Sequence, residues 1–312
     1  MQKFALKGIS IILGIIDSKE FRTQISQMEQ RISKYSYKIA TTIYSNCLSI
    51  IYTLISKHSH EFKQQVIQQN AFTILMKVPE SFETISDFRL KSYMSISNIF
   101  DEENVEQLVH IKSVTRELVG YTGACSGEIN NKNLERFPVS FEDTEKTGST
   151  DNETIIIQIN ESFFYLIDFL DVLYHYAVIE DIKYEVYEIC GMKKQLKMII
   201  LFGNSIEKEY SIRLLWQLCY DQRVADNVLN DSALMSIFKD ISVNSNGNSE
   251  LRRNTKGILW LLFKDKNSNP KYETKLEDDS DLKLSEKHIM ISYNSKTREL
   301  CLDIKVMYNI TR

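Results

Sequence analysis

A similarity that recurs at intervals of 42 to 44 residues limits this chain more than any other feature of its sequence. The segment LWQLCYD at positions 215–221 returns as LWLLFKD at 259–265, and Leu173-Tyr174 precedes Leu215-Trp216 by 42 residues. A fixed period of this length is typical of repeat proteins, whose units bury their apolar faces against one another. The chain is therefore predicted to be an array of similar units.

The same period joins a set of valines, with one irregular interval. Val66, Val109, Val186 and Val228 are separated by 43, 77 and 42 residues. The middle interval exceeds one period of 43 by 34 residues. A single insertion between two units, which we place at about residues 121–153, accounts for the excess.

The units are predicted to be helical. Apolar residues recur at steps of three and four along most of the first 265 residues, the spacing of an amphipathic helix. Only 10 glycines and 3 prolines occur, too few for a turn-rich all-β fold. The period predicts an all-α fold, a right-handed solenoid of the armadillo or HEAT type with about four to six units in residues 1–265. Residues 212–241 resemble one armadillo repeat, but few glycines and prolines punctuate the chain, so both types stay open.

Two segments interrupt the helical pattern. Residues 121–153 contain Pro138 and the polar run 142–152, and they are predicted to form a long solvated loop. Residues 266–286 are predicted to be an acidic linker. Six acids and two lysines lie between positions 273 and 286, and their repulsion together with low hydrophobicity disfavours a packed element.

An aromatic side chain occupies corresponding positions of the predicted units, at Tyr52, Tyr174, Trp216 and Trp260. A large ring at a repeated position of a helical array is usually a core wedge between successive helices, and this is our prediction. The alternative is a row of rings on which a ligand stacks.

No motif predicts catalysis or a metal site. His58 and His60 lie two residues apart, which turns them in different directions on a helix, and no third ligand is evident. His175 is interpreted as a packed histidine. The glycine-containing segment 123–127 lacks both the preceding strand and the following Lys-Ser/Thr of a phosphate-binding loop. We therefore predict no catalytic residue and no metal.

Composition and cysteine usage predict a cytoplasmic protein. The five cysteines are widely spread and odd in number, which is typical of free thiols in a reducing compartment. The apolar run 9–16 is followed by a charged segment without a cleavage site, so a packed helix is favoured over a signal peptide. No apolar run approaches the ~20 residues that span a bilayer. The net charge of −4 argues against a nucleic-acid partner.

The C-terminal residues differ from everything before them. His288-Ile289-Met290-Ile291-Ser292-Tyr293 is a short apolar run typical of a buried parallel strand, and a helix-like segment, 296–308, follows it. The run is similar to the first strand of a TIR domain, and residues 298–305 are similar to that family's first helix. Residues 287–312 are thus identified as the start of an α/β TIR domain, incomplete in this chain.

The resemblance implies a function for the longer architecture. Armadillo-type repeats followed by a TIR domain form a known arrangement that includes NAD-cleaving proteins. Tyr293, Asn294 and Lys296 match first-turn positions at the rim of the family's nucleotide cleft. The family's catalytic glutamate belongs to a later helix, so NAD is expected as a ligand only of an intact domain, and no other cofactor is expected.

Two functions stay open at this point. The first is a non-catalytic regulatory scaffold of a TIR-type signalling protein, which binds protein partners through the solenoid surface and associates with other TIR domains. The second is a free-standing helical-repeat module that binds proteins and has no TIR function. In both cases the chain as given is expected not to be an enzyme.

Overall fold

A computed structural model describes residues 2–31, 34–57, 59–82, 86–99, 111–128, 136–138, 153–159, 162–244 and 249–263. All of these lie in the first of two compact units, Met1–Lys264. The elements in chain order are α1 (Gln2–Asp17), α2 (Lys19–Arg31), α3 (Lys34–Lys57), α4 (His60–Gln68), α5 (Ala71–Ser81), α6 (Ser86–Ser97), α7 (Ile111–Glu128), β1 (Arg136–Pro138), β2 (Glu153–Ile159), β3 (Ser162–Tyr165), α8 (Leu166–Tyr176), α9 (Glu180–Tyr184), a π-helical turn (Glu185–Ile189), α10 (Met192–Phe202), α11 (Ser205–Leu218), α12 (Gln222–Leu229), α13 (Ser232–Asn244) and α14 (Ser249–Phe263).

Each helix of the second half packs against its equivalent one repeat later. Helix α8 packs against α11 and α11 against α14, while α7, α10 and α13 form a second row and α9 packs against α12. The unit α11–α12–α13 therefore holds three helices, as an armadillo repeat does, whereas a HEAT unit holds two. The predicted helical repeat is confirmed, and the anchors Val66, Val186 and Val228 are buried in one continuous core.

Polar residues at the turns fix where the helices of the repeat unit begin. The side chain of Asn204 accepts from the Glu207 amide, and the Glu207 carboxylate accepts from the Asn204 amide, which closes a capping box on α11. Asp221 caps α12 and Asp231 caps α13, in each case by accepting amide N–H groups of the first turn. Each of the three helices therefore begins at a turn whose side chain satisfies its first amides.

The segment predicted as a loop, 121–153, differs from that prediction wherever the structure describes it. Helix α7 continues to Glu128, and β1, β2 and β3 form an antiparallel sheet in that order. In this sheet Ile155 pairs with Arg136 and Phe164 with Ile157. The β-branched run at 155–157 favours a strand, and Ile155 and Phe164 are buried under the sheet. The sheet thus begins within the predicted insertion, extends past it to Tyr165 and leads directly into α8.

Helix α3 is the longest described element and has an unusual composition. Residues Tyr37–Ser56 are long and apolar enough, by length and composition alone, to cross a membrane. Its residues Tyr44, Leu48, Ile51 and Ile55 are fully buried against other helices, and the core helix of a soluble protein passes the same test. The predicted absence of a membrane span rests on unbroken apolar runs, whereas α3 interrupts its apolar residues with hydroxyl side chains.

The predicted acidic linker 266–286 and the TIR-like segment 287–312 lie outside the described residues. Their boundaries therefore stay predictions from the sequence.

Candidate functional site: an aromatic face on α8, α11 and α14

The repeated aromatic residues lie on a surface formed by equivalent helices. Tyr174 is on α8, Trp216 on α11 and Trp260 on α14. Tyr174 and Trp216 are half-buried, but Trp260 is 59% exposed. The predicted core wedge is therefore wrong for Trp260. We call the surface made by Tyr174, Tyr210, Arg213, Trp216 and Trp260 the aromatic face.

The ring of Trp216 packs against the backbone of α14 in the next repeat, at a glycine. A methyl group at Gly257 of α14 would lie 2.7 Å from Cζ2 of Trp216, so the indole ring occupies space that any other residue would fill. Among the described residues, its Nε1 is buried without a hydrogen-bond partner. An unsatisfied buried N–H is costly, so the packing of this ring carries that cost.

Arg213 lies between two tyrosine rings one turn before Trp216. Its guanidinium carbon is 4.2 Å from the ring centroid of Tyr174 and 5.1 Å from that of Tyr210. Its Nη2 donates to a carboxylate oxygen of Asp171 on α8. The stacking and the ion pair hold the side chain in place, while Arg213 Nε is buried with no partner in the part of the chain that the structure describes. Positions 213 and 216 are on one side of α11, so the two unpaired donors belong to the same face.

A second polar group adjoins this surface where α3 meets α8. The Tyr52 hydroxyl donates to Oδ1 of Asp168 over 3.4 Å, and the Tyr165 amide donates to Oδ2 over 3.1 Å. Burial raises the pKa of Asp168 to about 6, with a further contribution from the Asp171 charge. Burial also raises the pKa of Tyr52 well above its usual value. The Asp168 carboxylate is therefore held in surroundings that disfavour its charge.

His175 has the packed role predicted from its sequence position. Its Nδ1 lies 2.9 Å from the backbone oxygen of Asp171. Burial lowers its pKa, and the nearby Asp171 charge opposes that shift only in part. A histidine in this state is neutral at physiological pH.

The arrangement offers flat rings and a fixed guanidinium group, which suit it to binding. No group of three metal-ligating side chains exists among the described residues. Tyr293, Asn294 and Lys296, proposed from the sequence as nucleotide contacts, and His58 lie outside the described residues, and the side chain of His60 is also not described.

Sequence reasoning overlooked three residues of this site. Asp171, Arg213 and Gly257 occupy one repeat position, at intervals of 42 and 44 residues, three residues before Tyr174, Trp216 and Trp260. The same periodicity that revealed the rings thus contained the signal. Each unit carries a different residue there, so the position did not stand out as a motif.

Comparisons with known proteins give structural similarity alone. No protein-family profile matches the chain, and no curated protein matches it. A designed armadillo repeat protein in complex with the peptide (KR)4 is 12% identical, with a TM-score of 0.45 over 83% of this chain and 92% of that one. A computationally designed armadillo repeat protein for modular peptide recognition is also 12% identical, with a TM-score of 0.43 over 82% and 99%.

Proposed function

We propose that this chain is a protein-interaction module and that the aromatic face binds an extended segment of a partner protein. The observation that carries the proposal is the ring of Trp260, which is 59% exposed one repeat beyond the ordered side chains of Arg213 and Trp216. The side chains of an extended peptide would cover the rings of Trp216 and Trp260.

Energetics favour these residues as the anchors of an interface. Trp, Tyr and Arg are the residue types that most often dominate binding free energy, and here they are adjacent and partly held in place before a partner arrives. Because Arg213 and Trp216 are already ordered by Tyr174 and Gly257, binding loses little side-chain entropy. The exposed ring of Trp260 adds apolar area that an isolated chain leaves in water.

The chain contains only two tryptophans, and both lie on the aromatic face, so its intrinsic fluorescence reports on this surface. Peptides selected on the full chain from a random display library are expected to change that fluorescence on titration. Trp260→Ala is expected to weaken their binding by a factor of ten or more, at least about 1.4 kcal/mol, because it removes an exposed anchor without disturbing the core. Dissociation constants from the titrations test this.

A matched control is Phe202→Ala, which removes another aromatic ring that is 57% exposed, on α10. It is expected to leave the affinity unchanged. If the selected peptides bind the Trp260→Ala protein as tightly as the wild type, the aromatic face is not the binding surface.

We propose further that this module serves a TIR-type signalling protein of the cytoplasm. The support is the similarity of residues 288–293 and 298–305 to the first strand and helix of that family. The role assigned to the repeats is to bind protein partners and to regulate the associated domain. The free-standing interaction module stays the alternative.

The chain itself is expected not to cleave NAD. The residues that resemble the TIR family do not include its catalytic glutamate, and the described residues offer no nucleophile paired with a base on the aromatic face. Incubation of the purified chain with NAD should release no nicotinamide above a buffer blank by chromatography. Release that rises in proportion to the protein concentration would show that the chain is an enzyme.

A further inference from the structure

Two lysines border the aromatic face, and neither forms an ion pair with any of the described residues. Lys256 is exposed on α14, four residues before Trp260, so the two side chains share one side of that helix. Lys63 is half-buried on α4. The α14 end of the face thus has a cation beside an exposed ring, and the second cation belongs to a different part of the fold.

Electrostatics place Lys63 beside the α8 end of the face. Burial lowers the pKa of Lys63, and the charge of Asp171 on α8 opposes that shift in part. Burial also lowers the pKa of His175, and the Lys63 charge lowers it further. The His175 ring centroid is 5.5 Å from that of Tyr174. Lys63 Nζ donates to Oδ1 of Asn98 over 3.5 Å, a long bond for an ammonium group that has lost part of its water.

The carboxylates of the face are already committed within the chain. Asp171 pairs with Arg213, and Glu250 pairs with an arginine one turn later on its own helix. Asp168 lies under the face, where each of its two oxygens accepts one hydrogen bond. Glu209 on α11 also has an interaction of its own. Among the described charges of this surface, those left without an opposite charge are therefore the two lysines.

We propose that the segment bound by the aromatic face is acidic, with one carboxylate at Lys256 and a second at Lys63. This inference rests on the proposed function, because it names the chemistry of the partner at the same surface. Apolar or aromatic side chains of the segment would lie between the two acids, over Trp216 and Trp260. The charge of the partner is thus opposite to the charge that the surface leaves unpaired.

Helix packing sets the spacing of the two acids. Neighbouring helices pack about 8–10 Å apart, so α14 and α8 are separated by roughly 16–20 Å across α11. An extended chain advances about 3.3 Å per residue. The two carboxylates are therefore expected about five or six residues apart in the bound segment.

Single-stranded nucleic acid is a poorer fit to the same surface. Such ligands also combine flat rings with cations, but their phosphates follow one another at every nucleotide and need a continuous basic groove. Here the unpaired cations stand at the two ends of the face, and the net charge of the chain is −4. A segment with two separated acids matches this arrangement better than a polyanion does.

Selection on the full chain from a random peptide display library gives the first test. The selected peptides are expected to be enriched in Asp and Glu and depleted of Lys and Arg relative to the unselected library. Their dissociation constants, measured by tryptophan fluorescence, should rise between 50 and 300 mM NaCl, because salt screens the attraction between the acids and the lysines.

Lysine variants test the two positions. Lys63→Gln is expected to weaken binding about tenfold and Lys256→Gln about threefold, because an exposed charge pair contributes less than a partly buried one. Lys63→Arg keeps the charge and should bind like the wild type, which separates loss of charge from a disturbed fold. Lys239→Gln is the matched control, since Lys239 is exposed on α13, in the other row of helices, and it should leave the affinity unchanged.

Peptide variants complete the cycle. Replacing the acids of a selected peptide by their amides should weaken its binding to the wild type. The amide peptide should then bind Lys63→Gln and Lys256→Gln as tightly as it binds the wild type, because the interaction that each variant removes is already absent. The coupling between each acid and each lysine shows which pair forms.

The outcomes separate this inference from the proposed function. Peptides that lose affinity for Trp260→Ala but bind both glutamine variants like the wild type would overturn the acidic partner and leave the function standing. If no selected peptide depends on Trp260, both are wrong. A ten-nucleotide oligothymidylate that binds more tightly than every selected peptide, and loses affinity for Lys63→Gln, would assign the lysines to nucleic acid and overturn the inference.

Discussion

Replacing Glu207 by alanine is expected to lower the free energy of unfolding by roughly 3 kcal/mol. Glu207 is fully buried at the start of α11, below the inserted sheet. One side chain there supports two parts of the fold that are distant in sequence. Its loss should therefore loosen both the helix terminus and the sheet.

The hydrogen bonds of Glu207 account for this size. Oε1 accepts from the Thr154 hydroxyl over 3.2 Å and from the Ile155 amide over 3.3 Å, while Oε2 accepts from the Asn204 amide over 3.0 Å. Alanine would remove the acceptor of all three donors at once, and water has little access to this site. A buried donor left without a partner costs about 1–3 kcal/mol.

Denaturant unfolding followed by circular dichroism measures the loss, and Glu207→Gln is the matched variant. Glutamine has the same shape and one carbonyl oxygen, so it can keep the two contacts to β2 but not the one to Asn204. It should lose clearly less stability than alanine. If the two variants are equally stable, the carboxylate does not tie the sheet to α11.

The repeat row was predictable from the sequence because its signal is a period, and the inserted sheet was not. The interval between Tyr174, Trp216 and Trp260 is visible without assigning any single helix. The structure places these residues on α8, α11 and α14. The run at 155–157 is short and apolar, and such a run fits a buried strand or a turn of buried helix equally well. Its strand partners are set by contacts across the insertion, which local patterns do not contain.

The exposure of the aromatic face could not be predicted for a related reason. Whether a repeated ring is buried depends on the residue that the next unit places over it. Trp216 meets Gly257, whereas Tyr174 meets Arg213. The pairing of Asp171 with Arg213 likewise joins residues that are 42 positions apart on two helices. Charges at that separation give no local signal, so a sequence motif does not reveal them.

The second large effect is expected from Asp168, as a dependence of stability on pH. Burial holds its pKa at about 6 in the folded chain, above the ordinary value of 3.8. The folded state therefore binds the proton more tightly than the unfolded state. A shift of two pKa units corresponds to about 3 kcal/mol of unfavourable free energy when the carboxyl group is charged.

The sign follows from which state holds the proton. Below about pH 4 both states are protonated, so folding does not bury a charged carboxylate at Asp168. As the pH rises through 6 the folded carboxyl must ionise, and this part of the stability is lost. Other groups titrate in the same range, so the informative quantity is the difference in unfolding free energy between Asp168→Asn and the wild type, measured at pH 4.5 and pH 7.5.

Asparagine cannot ionise, but its carbonyl oxygen can accept from the Tyr165 amide or from Tyr52. The Asp168→Asn protein should therefore gain stability over the wild type on going from pH 4.5 to pH 7.5, by about 2 kcal/mol, because the unfolded carboxyl is already mostly ionised at pH 4.5. Tyr52→Phe should steepen the decline of the protein that keeps Asp168, because the lost hydroxyl donates to the charged carboxylate and holds its pKa down. A difference between Asp168→Asn and wild type that is the same at both pH values would show that Asp168 ionises as readily in the fold as in water. The contact that Asp168 makes between α8 and α3 would then contribute equally to the free energy of unfolding at both pH values.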